Sequence, residues 1–417
     1  MRIWSYSISV VLFLVFLSAC TNQRLLSSDD AVNYATSYTG FSPVYKVYHS
    51  SADSSELHVK LNSSQLLFSR NNSKQNFTAS LEIEAAIYEE ETREFLDSLK
   101  TGYSHVTEEI EEQTLYSKTT FKLPSGKNYV IDLTYKDINR KMIGQKSLRV
   151  DKIKKFAPEN FLIYTTNSIF PEFNTHCSSS FPVTIVSELV NLNDVKISSR
   201  KAELTLPPPP YSGQNTTLPE KQEFTPLNLT KTKNSINVTP EFLGDIFVSS
   251  EGKGIIFLIR PNSYPKVSST RELVLPLRYI SARREFEKMS EASNIKDKLD
   301  KFWMECGSNK DRAKILIKSY YTRVEDSNNL FSSFKSGWRT DRGLIHIIFG
   351  FPNEIKKSSD SETWIYGDRS SLGSVEFKFN KVENPYSSNH FELERNPIYK
   401  SEWARRVNAW RNGRIYD

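Results

Sequence analysis

Two all-β sandwich domains followed by an α+β domain is the fold class that this 417-residue sequence predicts. Three observations carry the prediction. From about residue 40 to residue 280, apolar and polar residues alternate in short runs separated by turn residues, the signature of strands with one buried face. Near Ser281 the apolar period lengthens to that of amphipathic helices. Short alternating runs and a last helix follow, the element order of an α+β domain.

The N-terminus gives an address. Met1-Arg2 precedes the apolar run Ile8 to Leu17, and Leu17-Ser18-Ala19-Cys20 supplies small residues before a cysteine. A charged start, a short apolar core and a small-residue cleavage site make a secretory signal rather than a membrane span. The spacing resembles the lipobox of bacterial lipoproteins. That resemblance implies signal removal over residues 1–20 and lipidation, palmitate included, of Cys20, with several acyl chains giving a stable anchor. Thr21 stands where many inner-membrane lipoproteins carry Asp, which by the same rule implies the outer membrane. No acidic run follows Cys20, so the periplasmic face is expected over the cell surface. Residues 21–39 read as a polar tether.

Beyond the tether, Phe77, Ala79, Leu81, Ile83, Ala85 and Ile87 share one side of a predicted strand, with Thr78, Ser80, Glu82 and Glu84 on the other. Phe121 and Leu123 alternate into Pro124-Ser125-Gly126-Lys127, and Tyr129, Ile131, Leu133 and Tyr135 alternate out, a hairpin signature. Residues 40–155 therefore predict roughly seven short strands, suited to an immunoglobulin-like sandwich without its disulfide.

A second β-rich domain is expected over residues 156–280, from "NFLIYTTNSIF" through "KGIIFLIRP" to "RELVLPLRYIS". It is interrupted at 207–240 by a segment that begins with four prolines. Polyproline is stiff and extended and has no internal hydrogen bonds, so this segment is expected as a surface excursion. Cys177 and Cys306 would be permitted to pair in an oxidising envelope, but two cysteines of unknown geometry are no framework.

The α+β domain is expected over residues 281–417. Ile295, Leu299, Phe302 and Trp303 mark one amphipathic helix within "SARREFEKMSEASNIKDKLDKFWMECG". Ala313, Ile317, Tyr320 and Val324 mark a second, opened by Asn309 as N-cap. A strand is predicted at Leu344 to Phe349, further strands at "ETWIYG" and "SVEFKFN", and a last helix with Trp403, Val407 and Trp410 on one face.

Between these elements lies "GWRTDRGLIHIIFGFPNE", residues 337–354. Together with the preceding "YYTRVEDSNNLFSSFKS" and the later "ETWIY", it resembles the GWxTD domain, whose motif stands here as Gly337-Trp338-Arg339-Thr340-Asp341. The resemblance covers about residues 281–417. It implies an envelope lipoprotein of the type found in Bacteroidota, with β-sandwich regions ahead of the domain and no established catalytic activity. "FGFPNEI" with "TWIY" is also similar, over a short stretch, to the small lipoprotein of the β-barrel assembly machine.

Physical chemistry makes the motif structural. Gly337 is expected to end the preceding helix in a left-handed conformation, and Trp338 to be a buried anchor. Thr340 and Asp341 have short side chains suited to bonding nearby amides, and Arg342-Gly343 is expected to turn the chain into a strand. Arg339 or Arg342 would pair with Asp341 or Glu354. A hydrolase would instead use Asp341 and Glu354 as acid and base.

No Gly-x-Ser-x-Gly, His-Glu-x-x-His, phosphate-binding glycine loop or Cys-x-x-Cys occurs, so no catalytic residue, metal ligand or cofactor is assigned. His346 within "LIHIIF" reads as a core or strand-edge residue. A net charge of +6, with both signs interspersed, does not suggest nucleic acid binding. Arg405, Arg406, Arg411 and Arg414 concentrate on the last helix and offer a surface for anionic lipid or an acidic partner.

The expected function is that of a non-enzymatic outer-membrane lipoprotein. It would serve as a structural or docking subunit of an envelope complex that builds or exports outer-membrane proteins, with other outer-membrane proteins or lipoproteins as partners. The alternative is a glycan-binding or glycan-processing envelope lipoprotein.

Overall fold

The computed structural model describes residues 43–70, 76–166, 168–178, 181–201, 205–213, 224–239, 243–358, 360–368 and 374–415. The expected signal sequence with Cys20, the expected tether, and residues 214–223 and 240 of the 207–240 segment lie outside the described residues. No described helix is long and apolar enough to cross a membrane.

The first β region has eight strands: β1 (Val44–Tyr48), β2 (Ser54–Asn62), β3 (Ser69–Arg70), β4 (Phe77–Glu89), β5 (Phe95–Thr107), β6 (Thr114–Lys122), β7 (Asn128–Asp137) and β8 (Met142–Asp151). One sheet runs β1-β2-β6; the other joins β3, β4, β7 and β8, with β5 along β4. The alternating residues of β4 meet those of β2, β6 and β7 in a single core between the sheets. The Pro124–Lys127 turn is not a hairpin, because β6 pairs with β2 while β7 pairs with β4 and β8. Its turn chemistry reverses the chain without choosing the neighbour. Leu123 is buried and Tyr129 Oη donates to the Pro124 carbonyl at 2.6 Å, which holds the turn over the core as an arch between sheets.

Strands β9 (Leu162–Thr165), β10 (His176–Ser178), β11 (Val183–Val186), β12 (Lys196–Lys201), β13 (Thr225–Pro226), β14 (Ser235–Val238), β15 (Gly244–Ser250) and β16 (Lys253–Arg260) build the second region. The sheet β14-β11-β9 faces β10-β16-β15-β12-β13 across a second core. Cys177 is buried here as a free thiol, and Cys306 is a buried free thiol among the C-terminal helices, so no disulfide joins them. "RELVLPLRYIS" is helical rather than extended, with α1 at Thr270–Val274 and a 3₁₀ turn at Leu275–Tyr279. Ser269 and Glu272 close a reciprocal capping box, and Pro276 stands in the first turn of the 3₁₀ segment, where its missing N–H is harmless.

The C-terminal part contains α2 (Arg283–Ser290), α3 (Ile295–Gly307), α4 (Lys310–Phe331), α5 (Asp341–Phe349), the sheet β17 (Glu354–Lys357), β18 (Ser361–Tyr366), β19 (Val375–Lys381) and β20 (Phe391–Leu393), and α6 (Tyr399–Arg411). The stretch expected as one helix is two, α2 and α3, because Asn294 caps α3 by accepting from the Asp297 amide. Asn309 caps α4 as expected, accepting from the Arg312 amide at 2.9 Å. The strand expected at Leu344–Phe349 is a helix, α5, buried on every side. An unbroken apolar run carries no period to separate helix from strand, and the cap at its start decides.

The proline segment is no free excursion. Pro207 and Pro210 are buried, and Leu206 and Tyr211 pack on the C-terminal core. Proline has no N–H to orphan, and the free carbonyls of an extended segment accept from this domain. The Asn396 amide donates to Pro210 at 3.1 Å, and Arg395 Nη2 to Pro208 at 3.1 Å.

Candidate functional site

The motif forms a 3₁₀ turn, Gly337–Arg339, that runs through Thr340 into α5. All five of its residues are buried. Gly337 does not end α4, which stops at Phe331; five residues intervene. Its role is close approach: a Cβ built at Gly337 would lie 1.7 Å from the Ser327 carbonyl oxygen, and one at Gly343 would lie 2.0 Å from the Gly337 carbonyl oxygen. A side chain at Gly337 would push the turn off α4, and one at Gly343 would push α5 off the turn. Trp338 is buried as expected, edge-on to Tyr279, whose hydroxyl donates to the Trp338 carbonyl at 2.8 Å.

Thr340 is the N-cap of α5. Its Oγ1 accepts from the Gly343 amide at 3.1 Å and donates to the Gly337 carbonyl at 2.7 Å. Asp341 reaches much further. Arg395 grips both of its oxygens, at 2.6 and 3.0 Å, and the Leu393 amide donates to Oδ2 at 2.7 Å. Asp341 is thereby tied to β20 rather than to Arg339 or Arg342, and its carboxylate is enclosed by donors, unlike an accessible catalytic base. Arg342 and Gly343 start α5 rather than leading into a strand. Arg342 donates to Glu362 on β18 at 3.3 Å and to the Asn389 carbonyl at 3.0 Å, with the ring of Phe391 4.2 Å from its guanidinium carbon.

The turn is also clamped from the β side. Asp245 on β15 receives Arg200 of β12 at 2.8 Å and Arg260 of β16 at 3.0 Å, all three buried. Arg260 Nε donates to Ser336 Oγ at 3.0 Å, and Arg200 Nη2 to the Phe334 carbonyl at 3.3 Å. Strands of two sheets thus converge with α4, α5 and the 3₁₀ turn on the buried polar residues beside the motif. Periodicity does not mark Arg395, Glu362, Asp245, Arg200 or Arg260. For Arg260 the one local signal is a charge at the end of an apolar strand, "KGIIFLIRP", where a buried charge requires a partner.

His346 lies in α5 rather than in a strand, and among the described residues neither ring nitrogen finds a hydrogen-bond partner; Asp326 is 3.8 Å away. On α6, Arg405 and Arg406 pair with Glu402, and Arg411 pairs with Glu285 at 2.8 Å while lying over Phe302. Arg414 is exposed beyond the helix. The arginine cluster is therefore largely engaged within the domain. Glu354 begins β17, opposite Ile365 of β18. Among the described residues no group of three or more His, Cys, Asp or Glu side chains is arranged to hold a metal ion.

A buried turn that joins helices to sheets through an N-cap and ion pairs defines a structural joint. Residues 246–412 match the GWxTD domain model, so the chain carries a GWxTD domain that begins within β15 and includes β16. No curated protein matches the chain. Among solved structures, Bacteroides uniformis beta-glucuronidase 2 covalently bound to cyclophellitol-6-carboxylate aziridine aligns at 15% identity with a TM-score of 0.18. The alignment covers 26% of this chain and 13% of that one. A crystal structure of Bacteroides uniformis beta-glucuronidase gives the same identity, TM-score and coverage, so this chain spans about an eighth of the length of those relatives. A likeness of that size carries no argument.

Proposed function

We propose that this protein is a non-enzymatic outer-membrane lipoprotein of the Bacteroidota GWxTD type. A lipid on Cys20 holds it at the periplasmic face, and it serves as a docking subunit of an envelope complex that assembles or exports outer-membrane proteins. One observation carries the reading. Thr340, Asp341 and Arg342 are engaged in internal bonds to Gly337, Arg395 and Glu362, so the motif builds a rigid body instead of presenting reactive groups. A rigid body lowers the ordering cost of binding a partner. The bond from Tyr129 to Pro124, near the start of β7, favours an immunoglobulin-like sandwich for the first region, an architecture common in adhesive proteins.

The test is cross-linking of intact cells and purification through a tag after Asp417. Stoichiometric links from residues 281–417 to an outer-membrane barrel or another lipoprotein are expected; recovery as a lone monomer would overturn the reading. Cys20→Ala should abolish palmitate labelling and release the chain from the membrane.

The glycan-binding alternative is favoured by a separate feature, a cavity of about 510 Å³ beside β12 and β13, lined by Phe224, Phe247 and Tyr386 together with Lys196 and Ser249. A glycan array without hits would remove it.

A further inference from the structure

Among the described residues, two cations of the buried seam beside the motif, Lys335 and Arg339, have no carboxylate bonded to them. Asp245 is bonded by both Arg200 and Arg260, and Asp341 by Arg395. Lys335 and Arg339 come from the same loop, and each is about nineteen-twentieths or more than nine-tenths buried, at 5% exposure for Arg339 and 7% for Lys335. Among the described residues neither makes a side-chain hydrogen bond or an ion pair, and Arg339 Nη1 is a buried donor with no acceptor. Each instead lies beside a ring of its own neighbour, Lys335 over Phe334 and Arg339 over Trp338.

Leaving a cation buried and unpaired costs several kcal/mol. A lysine escapes by releasing its proton, and burial lowers the Lys335 amine to about 8, with Asp341 and Glu392 opposing the shift and Arg339 and Arg200 adding to it. A guanidinium cannot escape in this way under ordinary conditions. Arg339 senses Arg260 as a second cation, and its nearest carboxylate of influence, Asp245, is already shared by two arginines.

We propose that Lys335 and Arg339, backed by Arg200 and Arg260, form a binding site for an oxyanion, a phosphate or carboxylate group, at the seam between β12-β15-β16 and the GWxTD turn. The planar fork of Arg339 suits paired oxygens, and Lys335 adds a point charge. This site is independent of the docking proposal, since it needs no protein partner.

Thermal unfolding of the full chain in detergent at pH 7 tests it, with sodium phosphate and sodium acetate titrated against sodium chloride at matched ionic strength. Saturable stabilisation by phosphate or acetate beyond that by chloride is expected, and the more effective of the two identifies the oxygen group. Lys335→Met and Arg339→Met should each weaken the apparent affinity by about tenfold or more, the loss of a charge-assisted hydrogen bond. Arg339→Lys should retain part of the response. If Arg339→Met does not fold, Lys335→Met decides, because Lys335 is the less buried of the two. No response beyond chloride in the wild type, or an undiminished response in Lys335→Met, would overturn the proposal.

Discussion

Arg395 holds Asp341 across 54 residues of sequence, through contacts of 2.6 and 3.0 Å between side chains that are 2% and 1% exposed. The bond fastens the start of α5 to the strand that precedes α6. The same guanidinium also reaches Pro208, so one residue joins the motif, the sheet and the proline segment.

Breaking a buried pair from one side leaves an uncompensated charge, at a cost of about 3–5 kcal/mol. Asp341→Asn should lower stability by that amount, and Arg395→Met by a similar amount. The double variant should lose much less than the sum of the two. Urea unfolding midpoints measure all three, and additive losses would show that the two residues act separately. A hydrolase would predict instead that Asp341→Asn keeps its stability.

Gly337→Ala places a methyl group against the Ser327 carbonyl, on the neighbouring helix. Forced overpacking of this kind costs about 1–3 kcal/mol or prevents folding. Gly213, where an added Cβ meets nothing within 4 Å, provides the control, and Gly213→Ala should leave the melting temperature unchanged. Equal melting temperatures for the two variants would refute the close-approach role.

Acid should weaken the fold through His346. Burial, with Arg323 nearby, lowers its imidazole from 6.5 to about 3. The unfolded chain therefore binds more protons between those values, and this contribution is present above about 6.5 and lost as pH falls toward 3. Asp326 acts with the opposite sign, since burial raises its carboxyl from 3.8 to about 7 and the folded chain takes up that proton first. His346→Phe removes the first effect and leaves the second. The variant should gain on the wild type as pH is lowered from about 7 to about 5, read from urea midpoints at each pH. A stability difference that stays flat across that range would count against the assignment.

Undocking the proline segment should expose it without unfolding the domain. Pro207→Gly with Pro210→Gly restores backbone freedom and removes two buried rings. Chymotryptic cleavage after Tyr211 should then appear, while tryptophan fluorescence of the C-terminal part stays native. Resistance equal to that of the wild type would show that docking does not depend on these rings.

The strand faces were legible in the sequence wherever one side meets water. Ala79, Leu81, Ile83, Ala85 and Ile87 of β4 alternate and are all buried. The helix α4 and its Asn309 cap were legible for the same reason, because a half-exposed element writes its period into the chain. The place of the motif was legible too, and Trp338, expected as an anchor, is buried. What failed were elements covered on all sides. Leu344–Phe349 reads equally as strand or helix until Thr340 caps it, and a proline run reads as surface until Arg395 and Asn396 supply donors to its carbonyls. The turn at Pro124–Lys127 specified a reversal, and only the packing of Leu123 and Tyr129 placed its two strands in different sheets. The sequence by itself determined local conformation, which depends on each residue and its near neighbours. The partners of Asp341, Arg342 and Asp245 were decided by the tertiary structure, because a charge removed from water must find its counterpart wherever the fold brings one within reach.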